Sequence, residues 1–226
     1  MTLTPIKTPL VAKKMFPNFI WDISTNEKFI YLTFDDGPTP EITNWVLDTL
    51  NTYQAKATFF CIGKNIENHP DIFQNIIRYG HAIGNHTHNH VKGWKTKAEA
   101  YLQNVDLAAS AINKHSNNTP LQQKAKLFRP PYGQITPKLG KLLLAKDYKI
   151  IMWDVLSFDW DYKTTQQDCL ENVISKTTNG SIVVFHDSIK ASKNMQYALP
   201  KTLEYFSKNG YSFKSLDFKH TAEQYQ

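Results

Sequence analysis

The strongest constraint in this chain is a rhythm. Between Phe29 and Lys214, short apolar runs of strand composition alternate with longer segments whose apolar residues recur at helical spacing. Phe29–Phe34, Ala57–Ile62, His81–Gly84, Leu127–Phe128, Lys149–Val155, Ser181–Phe185 and Tyr211–Lys214 read as strands. Glu41–Leu50, Asn65–Tyr79, Lys97–Lys114, Pro137–Lys146, Thr165–Thr177 and Lys193–Lys208 read as helices. In the first of these helices Ile42, Trp45, Val46 and Leu50 form the apolar stripe, and Pro40 suits the opening turn. In the second, Pro70 sets where the main helix begins and Gly80 ends it. Strands separated by helices cannot pair as hairpins. The alternation therefore predicts an α/β fold, a mostly parallel sheet with helices outside, open or closed into a barrel.

A chain of 226 residues with 41% hydrophobic and 20% charged residues has enough apolar content for one large core and is expected to form a single domain. The first 28 residues, with apolar clusters at Met15-Phe16 and Phe19-Ile20-Trp21, read as a lead-in packed on the body, and 29–226 as the domain proper. The net charge of +6 comes mainly from scattered lysines, which suits a soluble surface and an acidic polymer or cell envelope, and no basic motif interleaved with aromatics points to nucleic acid. Cys61 and Cys169 lack metal-binding or disulfide spacing and read as buried free thiols. Prolines and lysines interrupt 1–21, so no export signal is visible, and no run reaches the ~20 apolar residues of a membrane span. The chain thus reads as cytoplasmic.

In a parallel sheet flanked by helices, sites lie beyond the carboxyl ends of the strands. Asp35-Asp36, His86 to His90, Arg129, Asp159-Trp160 and His186 each follow a predicted strand, so one rim can gather them. Two adjacent carboxylates remain ionised together only beside a cation or strong donors. His86 and His90 are four apart, a spacing that puts both rings on one face of a helical turn while His88 points elsewhere. Two imidazoles and a carboxylate suit zinc and leave a position for water. Thr87 stands where an HExxH motif needs its glutamate, so a base must come from elsewhere, and the Asp pair can supply both a ligand and a base.

These stretches together resemble the catalytic domain of polysaccharide deacetylases, the NodB-homology domain of carbohydrate esterase family four. The resemblance spans residues 29 to 214 and rests on five ordered motifs: Thr33-Phe34-Asp35-Asp36, His86-Thr87-His88-Asn89-His90, Arg129-Pro130-Pro131-Tyr132-Gly133, Asp159-Trp160, and Val184-Phe185-His186. It implies a distorted (β/α) barrel of about seven parallel strands. It also implies that Asp36, His86 and His90 bind Zn2+ (Co2+, Ni2+, Mn2+ or iron being admissible) and that Asp35 is the general base. Arg129 would hold Asp35 ionised, His186 would be the general acid, and Asp159 would keep His186 cationic. The Tyr132 backbone N–H would hold an oxyanion, while Tyr132, Trp160 and Val184 would shape the substrate pocket.

The implied substrate is an acetylated oligo- or polysaccharide. N-acetyl groups of chitin-type or peptidoglycan-type glycans are the first reading, O-acetyl groups of xylan or another glycan the second. A catalytically silent carbohydrate-binding protein is a third, and hydrolysis of a small cyclic amide has no motif in its favour. Leu156 departs from the family pattern, which often has an Asp there; the nearest acid is Asp154. Short loops between motifs predict an open, shallow cleft. His88 and Trp94 could stack on a sugar ring but read more simply as loop residues, and His69, His81, His115 and His220 as surface or packing residues.

Overall fold

The computed structural model describes residues 4–116, 119–121 and 123–218; His220 lies outside them. In chain order the elements are α1 (Leu10–Met15), β1 (Phe29–Asp35), α2 (Ile42–Thr52), β2 (Ala57–Cys61), α3 (Gly63–Asn68), α4 (Pro70–Arg78), β3 (Ala82–Asn85), α5 (Ala98–His115) and β4 (Lys126–Phe128). A 3-10 turn (Pro131–Gly133) follows, then α6 (Pro137–Ala145), β5 (Tyr148–Ile150), β6 (Val155–Leu156), α7 (Gln166–Ile174), β7 (Ile182–His186), α8 (Ser192–Lys208) and β8 (Ser212–Phe213). The strands run parallel in the order β5-β4-β3-β2-β1-β7-β6, with β8 added to the start of β1. Among the described residues no helix is long and apolar enough to cross a membrane.

One expected strand proves to be two. Lys149–Val155 divides into β5 and β6, which sit at opposite margins of the sheet although only residues 151–154 separate them. So short a link reaches no more than about 3.5 Å per residue, so the margins must come close and the sheet curls into a half-barrel of seven parallel strands ringed by helices. From Ile150 to Val155 the run is apolar but for Asp154 and buried but for the half-buried Trp153, and apolar composition alone cannot reveal where strand pairing changes partner.

Side chains of a strand alternate between faces, and β1 shows what that does here. Ile30, Leu32 and Phe34 point outward into the core shared with the helices, together with Val46, Phe185 and Leu199. Thr33 and Asp35 belong to the opposite, inward face. There Phe60, Leu127, Ile151 and Ile182 fill the barrel's lower interior. Cys61 and Cys169 are buried free thiols.

The N-terminal segment bridges the seam between the two margins. Ile20 N–H donates to Ile150 (2.9 Å) and its carbonyl accepts from Met152 (2.7 Å), while Thr8 N–H donates to Asp154 and Leu156 N–H to Ile6 (both 2.8 Å). Phe19 and Trp21 pack on a core cluster and Phe16 stacks on Phe19 at 5.5 Å, whereas Met15 stays 68% exposed, so the first expected apolar cluster is engaged only through Phe16. Asp154, the acid nearest to Leu156, faces this segment rather than the rim. Its buried carboxylate pairs with Lys7 (2.8 Å) and Lys13 (2.6 Å) and accepts from the Ser181 hydroxyl (2.6 Å).

Burial opposes ionisation of Asp154, but the hydrogen bonds from Lys13, Lys7 and Ser181 overcome it and hold the carboxyl below its ordinary 3.8. The stability this confers is present above that ordinary value and is lost as pH falls. Asp154→Asn should therefore cost about 1–3 kcal/mol at neutral pH in urea unfolding, a modest figure because the Lys7 side chain is 38% exposed. The variant and the wild type should converge as pH drops below 3.8.

Candidate active site

The strands deliver polar residues to one rim. Asp35 ends β1 beside His186, which ends β7, because the two are register partners; Asn85 ends β3 beside Phe128 of β4, so His86 and Arg129 emerge next to one another. Asp35 and Arg129 form a buried ion pair, Nη1 donating to Asp35 Oδ1 at 2.7 Å. Burial would raise the carboxyl, yet the Arg129 charge, aided by that of His186, holds it below the usual carboxylate range. Asp35 is thus kept as an ionised acceptor.

Asp36, His86 and His90 converge, with a ligand atom of each lying within 4.8 Å of the others. Asp36 Oδ1 is 3.2 Å from His90 Nε2 and 3.8 Å from His86 Nε2. Ligand atoms bound tetrahedrally at ordinary zinc distances would stand about 3.0–3.5 Å apart, close to this spacing. Asp36 Oδ1 is buried without a hydrogen-bond partner among the described residues, a costly state that a cation would relieve. His86 Nδ1 lies 2.8 Å from the Arg129 carbonyl, which can only accept. The proton therefore sits on Nδ1, and Nε2 presents its lone pair to Asp36. Burial lowers the pKa of His86, and burial reinforced by His86 lowers that of His90 to about 4, so both imidazoles are neutral, the ligating form. The residues fit a divalent cation.

The expected helical turn from His86 to His90 is absent. Thr87 and His90 adopt left-handed backbone (φ 62 and 53) in a loop that brings the two rings to 5.0 Å between centroids. Four-residue spacing put them together, but through tight loop geometry rather than a helix face. His88 does point elsewhere, its Nε2 3.6 Å from Glu67. The exposed Trp94 donates its indole N–H to the Ile135 carbonyl. His81 is buried and its Nδ1 accepts from the Ala57 N–H, a packing role, whereas His69 stands in the cleft wall.

Across the rim, Asp159 grips His186 twice: Oδ2 accepts the backbone N–H (2.7 Å) and Oδ1 accepts from Nδ1 (2.8 Å). Burial disfavours the imidazolium, but the charge and hydrogen bond of Asp159 outweigh it and raise the pKa to about 9. Trp160 sets its ring edge-on to His186 at 4.7 Å and stacks on Phe158. Asp35, Asp36, His86, His90 and His186 line a cleft of about 790 Å³, whose walls also include Tyr132, Leu156, Trp160 and Val184, while Arg129 and Asp159 are buried behind it. Tyr132 has left-handed backbone (φ 58), and the turn around it is closed by Gly133 and Gln134 N–H groups, so the Tyr132 N–H is not spent on closing it.

Several residues of the site carried no role in the sequence reading. Thr33 accepts a second Arg129 Nη1 bond at 2.7 Å and donates to Val183. Asp187 is buried and accepts from Gly37 N–H and the Thr43 hydroxyl; burial pushes its carboxyl up to about 7. Its position directly after a strand-ending histidine was the available signal. Asn65 donates to the Asp36 carbonyl, and nothing in the sequence sets it apart from surface polar residues of a helix.

A parallel half-barrel with a carboxylate and two imidazoles at its rim, flanked by Asp–Arg and His–Asp pairs, defines a hydrolase-type architecture. The family model for polysaccharide deacetylase matches residues 22–151. A peptidoglycan-N-acetylglucosamine deacetylase of Bacillus cereus is 34% identical over 218 residues, covering 93% of this chain and 100% of that protein. Chitin deacetylase 2 of Saccharomyces cerevisiae is 34% identical over 177 residues, 76% of this chain and 54% of that one. Among solved structures, a peptidoglycan N-acetylglucosamine deacetylase superimposes with a TM-score of 0.83 at 28% identity, covering 92% of this chain and 95% of the other. The chain belongs to the polysaccharide deacetylase family.

The His186–Asp159 pair yields a direct test. Because the folded pKa of His186 is raised, the stability the pair contributes is complete below the ordinary 6.5 and disappears as pH rises through about 9. In Asp159→Asn, burial acts unopposed by that carboxylate. NMR titration of the metal-free protein should then find His186 at or below 6.5 instead of near 9.

Proposed function

We propose that this protein is a metal-dependent polysaccharide deacetylase that hydrolyses N-acetyl groups of N-acetylglucosamine-containing glycans of chitin or peptidoglycan type. The observation that carries the reading is the convergence of three neutral or anionic ligands, an ionised buried carboxylate and a cationic imidazole in one open cleft. Asp36, His86 and His90 would hold the cation, with Zn2+ the best match to two nitrogens and an oxygen and Co2+, Ni2+ or Mn2+ admissible. A bound cation of this kind supplies positive charge that acidifies a water molecule and polarises the acetyl carbonyl.

The protein's own residues account for the remaining steps. Asp35 takes the proton of the attacking water. Its Oδ1 is occupied by Arg129, and among the described residues no donor engages its other oxygen. The Tyr132 backbone N–H donates to the oxygen of the acetyl carbonyl as it gains negative charge. Leu156, Trp160 and Val184 give the acetyl methyl group an apolar wall, and an aliphatic residue at Leu156 suits that position better than the expected acid would. His186 then gives its Nε2 proton to the departing amine. Asp159 keeps that proton available at neutral pH by holding the pKa near 9. The openness of the cleft supports a polymer as substrate.

Acetate release should be measured on chitooligosaccharides and on acetylated xylan. The reading expects release from the first. Release from xylan alone would replace it with an ester hydrolase, and no release from either by metal-loaded protein would favour a silent binding protein. Asp35→Asn should lower kcat by about 10²–10⁴-fold while metal content stays unchanged. His90→Ala should lose the metal, measured by elemental analysis after desalting, and with it all turnover.

A further inference from the structure

The backbone at Asp36 is left-handed (φ 85). For a residue with a side chain this costs on the order of 1–3 kcal/mol and persists only where neighbours enforce it. The enforcing groups are on both sides of one peptide unit. The Asp36 carbonyl accepts from Asn65 Nδ2 at 2.8 Å. The N–H of the same peptide, that of Gly37, donates to Asp187 Oδ1 at 3.0 Å. Asn65 comes from α3 and Asp187 from the residue after β7, so the plane is gripped from two elements remote in sequence.

The grip is itself braced. Asp187 Oδ2 accepts from the Thr43 hydroxyl at 2.5 Å, and Thr43 Oγ1 accepts from the Thr39 N–H at 2.7 Å. Asp187 N–H donates to the Asp35 carbonyl at 3.1 Å, which ties down the residue before Asp36 as well. A Cβ on Gly37 would sit 1.9 Å from Asp187 Oδ2, so the carboxylate reaches this amide only because position 37 is glycine. Asp36 Oδ1, by contrast, has no hydrogen-bond partner of its own among the described residues. With nothing holding the oxygen directly, its distance from the two imidazoles is inherited from the backbone that carries it.

We propose that Asn65 and Asp187 are positioning residues which clamp the Asp36–Gly37 peptide and thereby set the affinity of the site for its cation. The inference rests on Asp36 being a metal ligand, as proposed above. Outer groups that orient a ligand typically contribute 10–100-fold in metal affinity. Because both side chains hold a single peptide unit, releasing it from one leaves less for the other to restrain, and their effects are coupled.

The test is the Zn2+ dissociation constant of the full chain, measured by competition with a chromophoric chelator, with thermal unfolding recorded alongside. Asn65→Ala and Asp187→Ala should each weaken Zn2+ binding by about tenfold or more. Asp187→Asn, whose amide oxygen can still accept the Gly37 N–H, should recover most of the loss. The double variant Asn65→Ala/Asp187→Ala should lose less than the product of the single losses. Affinity within twofold of wild type in Asn65→Ala overturns the clamp even if Asp187→Ala fails to fold, since Asn65 is only half-buried on a helix. Absence of rescue by Asp187→Asn, or losses that multiply, also overturns it. Asp36→Ala separates the two levels. If it abolishes Zn2+ binding while the clamp variants bind normally, only the clamp fails; if it binds Zn2+ like wild type, the ligand assignment fails instead.

Discussion

The fold and its rim are organised around one buried guanidinium. Arg129 is fully buried, and desolvating its charge and that of Asp35 costs several kcal/mol per ion, a cost offset only when geometry and hydrogen bonds are nearly complete. They are. Nη1 donates to Asp35 and Thr33 (both 2.7 Å), Nη2 to the Met152 carbonyl (2.7 Å) and Nε to the Ile151 carbonyl (3.2 Å). The planar head lies 4.2 Å over the Phe60 ring. One side chain thus joins β1, β2, β4 and the link between β5 and β6.

That link explains why an arginine is needed inside a barrel. Where the chain leaves one margin of the sheet for the other, the carbonyls of Ile151 and Met152 are turned inward, toward the guanidinium, and a buried carbonyl must find a donor. Arg129 supplies it, while the N-terminal segment satisfies the outward groups of the same seam through Ile20, Thr8 and Ile6. Closure of the sheet and ionisation of Asp35 are therefore served by the same cation. Its own backbone carbonyl goes further and sets the tautomer of His86.

From that frame the rim divides its titrations. Asp35 is held down by Arg129, His90 is held down to about 4 by burial and His86, and His186 is held up to about 9 by Asp159. Neighbouring groups end in opposite protonation states because each has a different partner: the buried Arg129 behind Asp35, the buried Asp159 behind His186, and His86 beside His90. An ionised acceptor, two neutral imidazoles and a cationic donor coexist at one pH, the division of labour that the proposed acyl hydrolysis would draw on.

The alternation of apolar runs and helical stripes determined the α/β class, the parallel pairing and the gathering of strand-ending residues on one rim, because burial period and strand polarity are local properties. Asp35, Asp36, His86, His90, Arg129, Asp159 and His186 could be placed on that rim because each follows a predicted strand, while their individual roles came from the family resemblance and not from the pattern. What the letters could not carry was the break inside Lys149–Val155, since a buried run looks alike whichever strand it pairs with. Nor could they carry the left-handed loop that replaces a helical turn at His86–His90, or the gripping of one peptide by Asn65 and Asp187. Those features arise where segments distant in sequence complete each other's hydrogen bonds. Whether a polar residue is solvated or holds a site together is decided only when the tertiary structure removes water from around it.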